Sequence, residues 1–118
     1  MDGVLKELVW LGNSKKKLRA FPDRVKDVMG YALHLAQAGD KHPAAKPFKR
    51  VGSGVLEVVD DHDGDTFRAV YTVRFGDVVY VVHVFQKKAK RRIATPQQDV
   101  DLIKRRLKAA ESKFKKRK

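Results

Sequence analysis

Cysteine is absent from the 118 residues, which removes disulfide frameworks, thiolate metal sites and cysteine nucleophiles together. A chain without disulfides suits a reducing compartment. No run approaches the roughly 18 apolar residues of a membrane span, and the opening Asp2, Lys6 and Glu7 lack the charged-then-apolar order of an export signal. The expectation is a cytoplasmic protein with no membrane partner. Phosphate-binding glycine motifs are missing too: neither G-x-x-x-x-G-K-[ST] nor G-x-G-x-x-G occurs, and Gly52-Ser53-Gly54 is by itself too little to argue for a phosphate cradle. His34, His42, His62 and His83 have no metal-ligand spacing, so no metal and no cofactor is expected. The acidic turn Asp61-His62-Asp63-Gly64-Asp65 lacks the length and terminal glutamate of a calcium loop and reads as a hairpin turn.

Acidic residues are scarce relative to basic ones, 14 Asp+Glu against 27 Lys+Arg, for a net charge of +13. The excess is uneven. Residues 1–86 carry 13 basic and 11 acidic side chains, whereas residues 87–118 carry 14 and 3, so the positive field belongs to the C-terminal third. A localised positive field favours a polyanion, and nucleic acid is the commonest one in cytoplasm. The alternative is a solvated helix face with a basic tail. A hydrophobic share of 42%, with six Phe, three Tyr and one Trp, supports one core, and the length fits a single domain over residues 1–118 with a basic tail at about 112–118.

Punctuation divides the chain clearly. An apolar segment from Val4 to Leu11, stopped by Gly12, predicts a first strand, and Pro22 splits the following helical stretch in two. In the second helix Val25, Val28, Ala32, Leu35 and Ala36 recur at helical spacing, ending at Gly39. Residues 41–54, with Pro43, Pro47, Gly52 and Gly54, form a connecting loop. Three strands follow, at Val55 to Asp60, Thr66 to Phe75 and Val78 to Gln86, joined by the acidic turn and by Gly76-Asp77. The last strand is nearly continuous in apolar residues, as expected of a central strand covered on both faces. After a basic loop from Lys87 to Thr95, Pro96 opens a helix whose stripe is Val100, Ile103, Leu107, Ala110 and Phe114. The order is βααβββα, an α+β protein.

If Gly76-Asp77 is a two-residue hairpin loop, Phe75 faces Val78, and counting back pairs Arg68 with Phe85, Val70 with His83 and Thr66 with Lys87. Arg68, His83, Phe85 and Lys87 then share one face. Phe67, Tyr71 and Phe75 fall on the other, with Val78, Tyr80 and Val82, under helices. Each has a plainer reading: Arg68 pairing with Glu57 or Asp60, His83 and Phe85 as packing residues, Lys87 and Lys88 as a solubilising strand end. Their convergence beside the most basic segment is what marks them as candidates.

The series Gly54-Val55-Leu56-Glu57, Gly64-Asp65-Thr66-Phe67-Arg68-Ala69-Val70-Tyr71, Val79 to Lys88, and Thr95-Pro96 before a helix resembles the phage-derived branch of the HigB/RelE toxin superfamily. Trp10-Leu11-Gly12-Asn13-Ser14 and Phe21-Pro22 are similar to that branch as well, and the likeness covers about residues 7–110. It departs after Glu57, where the branch usually writes Leu-Arg and this chain has Val58-Val59. The resemblance implies a RelE-like fold, an antiparallel sheet with two N-terminal helices on one side and a C-terminal helix nearby. It also implies a toxin of a type II toxin–antitoxin system, a ribosome-dependent mRNA endonuclease that inhibits translation and is silenced by a helix-turn-helix antitoxin of the HigA type. The partners would be mRNA and the ribosome.

Within that resemblance, Arg68 matches a phosphate-contacting arginine and Lys87-Lys88 a second basic site. Metal-free RNA cleavage needs a base for the 2′-OH, a cation for the developing charge and an acid for the leaving 5′-oxygen. Arg68, Lys87, Lys88 and His83 are the catalytic candidates. Tyr71 and Phe85, if exposed, would stack on bases, and Lys90, Arg91 and Arg92 would hold the RNA backbone. The competing expectation is a non-enzymatic RNA- or ribosome-binding module with the same basic face.

Overall fold

The computed structural model describes residues 4–88 and 95–116. Strand β1 (Glu7–Trp10) leads into helices α1 (Ser14–Arg19) and α2 (Asp23–Gln37), then a short β2 (Ala45–Pro47) and a 3-10 turn (Lys49–Val51). The long strands β3 (Val55–His62), β4 (Asp65–Phe75) and β5 (Val78–Lys87) follow, and α3 (Gln97–Lys116) closes the chain. The α+β class and the succession of long elements are those expected. The segment read as a loop adds β2, which pairs antiparallel with β3 through Ala45–Val58, Lys46–Glu57 and Pro47–Leu56. Three residues with two prolines nearby carry no period that pattern reading can detect.

The sheet order is β1-β5-β4-β3-β2. Contrary to an all-antiparallel sheet, β1 runs parallel to β5, with Glu7 opposite Val78 and Trp10 opposite Val81. Helices α1 and α2 carry the chain from β1 over one face to β2 at the opposite edge, and β5, reached through the β3–β4–β5 hairpins, comes to lie beside β1. Helix α2 packs Val25, Met29, Ala32, Leu33 and Ala36 on that face, against Val58, Phe67, Ala69, Tyr71, Val79, Val81 and Val84. The buried stripe is therefore rotated from the expected one, with Met29 and Leu33 central and Val28 and Leu35 at its margin. Helix α3 covers the opposite face with Val100, Ile103, Leu107 and Ala110, as its period predicts. It continues to Lys116, so most of the segment read as a basic tail is helix.

Both hairpin turns are two residues long and use the conformations their residues favour. Asp63 and Gly64 (φ 50° and 83°) join His62 to its partner Asp65, and Gly76 (φ 64°) opens the turn between Phe75 and Val78. The expected pairs Thr66–Lys87, Arg68–Phe85, Val70–His83 and Phe75–Val78 all occur. Between them the ladder shifts twice, in opposite senses: Tyr71 faces Val81 and Thr72 faces Tyr80. Val82 is thus an extra residue on β5, a bulge. It switches the faces. Val78, Tyr80 and Val82 lie under α3 together with Phe85 and Phe75, while Phe67 and Tyr71 lie under α1 and α2. The single set of six residues expected on one face is divided between both, because each one-residue insertion inverts side-chain parity beyond it.

Candidate functional site

Four elements meet where α3 begins: the middle of β3, the start of β4, the end of β5, and the first turn of the helix. Arg68, buried on β4, directs Nη1 toward Glu57 Oε1 (3.4 Å) on β3 and donates to Thr95 Oγ1 (3.2 Å) just before α3. From the other side Arg50 donates Nη1 to the Thr95 carbonyl (2.7 Å) and Nη2 to Gln97 Oε1 (2.9 Å). Two guanidinium groups therefore bond to the same residue.

On β5, His83 Nε2 lies 2.9 Å from Asp99 Oδ1 in the first turn of α3, and Asp99 Oδ2 is 3.6 Å from Lys87 Nζ. Phe85 stacks on the His83 ring at 4.6 Å between centroids. Burial lowers the His83 pKa below its ordinary value; the Asp99 hydrogen bond and charge oppose this, and Arg106 and Lys17 add to it. The neutral ring donates Nε2–H to the carboxylate, since a carboxylate only accepts. His83 Nδ1 is then left buried without a hydrogen-bond partner.

The sequence profile of phage-derived Gp49-like proteins matches residues 16–108, a range that contains Arg50, Glu57, Arg68, His83, Lys87, Thr95 and Asp99. This chain belongs to the phage-derived Gp49-like family. No curated protein matches it significantly. Among solved structures the Gp49-like chain is similar to a chain of the toxin–antitoxin complex RelBE2 from Mycobacterium tuberculosis. The likeness has 15% sequence identity and a TM-score of 0.47, and covers 74% of this chain and 97% of that one.

In this Gp49-like protein the structure brings together four of the residues singled out from sequence: Arg68, His83, Phe85 and Lys87 line the α3 side of the β4–β5 pair. Lys88 follows at the end of β5 and is exposed. His83 corrects its assignment as a direct catalyst, because at 2% exposure it touches Asp99 and Phe85 and has no open side toward a substrate. Tyr71 is corrected as well. It is wholly buried under α1 and α2, where burial pushes its pKa up to about 12, and no base can stack on it. Phe85 is covered on one side by His83 and lines a cavity of about 270 Å³ with Lys17, Ala20, Phe21 and Gln86. Lys90, Arg91 and Arg92 lie outside the described residues.

Sequence reasoning did not mark Glu57, Asp99 or Arg50 as site residues, and it used Thr95 only as part of the Thr95-Pro96 motif ahead of the last helix. The plain pairing of Arg68 with Glu57 across the sheet occurs. Asp99 carried one usable signal: an acid in the first turn of a helix, next to a positive N-terminus. Arg50 had none, since its role depends on the chain between two prolines and two glycines folding back onto Thr95.

Proposed function

We propose that the chain is the toxin of a type II toxin–antitoxin pair, a HigB-like, RelE-like endoribonuclease that cleaves mRNA on the ribosome in the cytoplasm, with a HigA-type helix-turn-helix antitoxin as partner. The observation that carries this reading is the meeting of Arg68 and Lys87 on one face, each beside a carboxylate on a different element. In that arrangement the Arg68 guanidinium, only 6% exposed behind Glu57, opens to a phosphodiester as the Glu57 carboxylate moves off it, and then suits two parallel hydrogen bonds. The part-exposed Glu57 accepts the 2′-OH proton. The 2′-oxygen attacks phosphorus, the bond to the 5′-oxygen breaks with its electrons on that oxygen, and Lys87 supplies the proton. The products are a 2′,3′-cyclic phosphate and a 5′-hydroxyl. Lys88 contacts the strand beyond, and His83 keeps Asp99 and through it Lys87 in position.

The experiment is single-turnover cleavage on mRNA-programmed ribosomes with Arg68→Ala, Lys87→Ala and Glu57→Gln, alongside ribosome binding and thermal unfolding. Folded variants that bind ribosomes but do not cut support the reading; variants that cut at the parental rate overturn it. A second reading, a non-enzymatic RNA- or ribosome-binding module, is favoured by the burial of His83, which takes the histidine of this site out of reach of a substrate. Expression without antitoxin separates the two: growth arrest with cut transcripts favours the nuclease, and arrest with intact transcripts favours the binder.

A further inference from the structure

Beside the candidate site, a cavity of about 470 Å³ runs between the 3-10 turn, β4 and α3, lined by Arg50, Arg74, Lys104 and Lys108 over a floor of Val51 and Leu107. All four cations are exposed, and among the described residues none of them forms an ion pair. Glu111, the one acid on the rim, is taken by Lys115 at 3.3 Å. Crowding four like charges around one depression raises the energy of the free protein, a cost that an anion in the depression offsets.

Two of the cations are held in place before any ligand arrives. Arg50 is fixed by Thr95 and Gln97. Arg74 donates to the Ser53 carbonyl (3.2 Å) and lies over the Phe75 ring (5.4 Å). The Gly52-Ser53-Gly54 segment makes this seat. A Cβ on Gly54 would come within 2.6 Å of Arg74 Cβ and one on Gly52 within 3.3 Å of its Nη1, and both glycines have positive φ. The glycine pair thus serves an arginine that faces the depression. It does not itself cradle a phosphate.

We propose that this groove binds the sugar–phosphate backbone of RNA leaving the Arg68 site, an inference that deepens the proposed function and rests on it for the nature of the polyanion. Continuity favours a strand over an acidic peptide: Arg68 and Arg50 bond to the same Thr95, so one chain of phosphates passes from the first guanidinium to the second and on to the helix. Lys104 and Lys108 stand one helical turn apart, about 6 Å along the axis, a spacing that serves successive phosphates. The four cations that line the groove suit phosphate oxygens, and recognition there is by backbone charge.

The test is binding of a fluorescent single-stranded RNA 12-mer, and separately of vacant ribosomes, across a salt series. The variant is Arg74→Gln/Lys104→Gln/Lys108→Gln. The control, Arg24→Gln/Lys26→Gln/Lys41→Gln, removes equal charge from the α2 side. Lys104→Gln/Lys108→Gln keeps the Arg74 seat intact should the triple variant unfold. The groove variant is expected to bind RNA at least about tenfold more weakly, with the slope of log K against log salt reduced by about 2, while the control changes it far less. Loss of oligonucleotide binding alone identifies the substrate strand as occupant; loss on vacant ribosomes as well identifies ribosomal RNA. Equal effects of the two triples, or none, overturn the proposal. Retained RNA affinity in the groove variant with cleavage lost in Arg68→Ala leaves the nuclease standing and the groove refuted. Lost affinity with a parental protein that never cuts does the reverse.

Discussion

Arg106 of α3 donates Nη1 to the carbonyl of Val82 at 3.0 Å, and Val82 is the β5 residue that finds no partner on β4 or β1. A bulge frees a carbonyl from the ladder, and a buried carbonyl left unpaired is costly. The arginine satisfies it and fixes the inserted residue. His83 and Phe85 owe their place on the α3 face to this insertion.

Removing that donor tests the relationship. Arg106→Leu leaves the Val82 carbonyl buried and unbonded, and is expected to destabilise the fold by about 1–3 kcal/mol. Urea unfolding monitored by Trp10 fluorescence reads the change. A loss below about 0.5 kcal/mol would show that water or another donor replaces the guanidinium.

Gly12 is the second support. Its φ is 57°, and a Cβ there would lie 2.4 Å from Arg106 Nη2, which donates to Asn13 Oδ1 at 3.3 Å while Nη1 of the same guanidinium donates to Val82. Gly12→Ala is expected to be destabilising through both the strained backbone and the displaced guanidinium. The Gly12→Ala/Arg106→Leu double variant should lose less than the sum of the two single losses, because the second change removes what the first collides with. Strict additivity would mean that the two residues act independently.

The neutral, buried His83 sets a pH dependence. Its pKa is depressed in the folded state below the ordinary 6.5, so between the two values the unfolded chain binds the proton and the folded one does not. Stability from this group is present above about pH 6.5 and declines as pH falls toward the folded value. Unfolding free energies at pH 7.5 and 5.5 should therefore differ more for the parent than for His83→Gln. Parallel pH profiles would place the titration elsewhere.

Lys87 and Lys88 should separate in the cleavage assay. Lys87 Nζ lies 3.6 Å from Asp99 and faces the site, whereas Lys88 is exposed at the end of the strand. Lys87→Ala is expected to reduce the single-turnover rate by about tenfold or more beyond the effect of Lys88→Ala, within the usual range of proton-transfer groups. The reverse ranking would mean that the strand end turns the other way when RNA is bound.

The residues legible in the sequence were those whose surroundings are local. Turn chemistry at Asp63-Gly64 and Gly76-Asp77 anchors the hairpins, and the Arg68–Phe85 and Val70–His83 pairs follow by counting back from the second turn. The same count misplaces Tyr71, Tyr80 and Val82, because nothing in a run of valines marks which residue is inserted. That choice depends on an arginine 24 residues away. Likewise Arg68 is visible as a strand cation, but Thr95, Asp99 and Arg50 become site residues only when α3 docks, a packing event with no period or motif of its own.

The long strands outrun the short ones that flank them. β1 pairs with Val78–Val81 of the ten-residue β5, and β2 with Leu56–Val58 of the eight-residue β3, so among the described residues Val82–Lys87 and Val59–His62 have no strand on their outer side. An extended peptide that added itself to this sheet would find its template at those two strand ends rather than along a full-length edge. The end of β5 carries Lys87, so main-chain pairing there would bring a partner beside the candidate site.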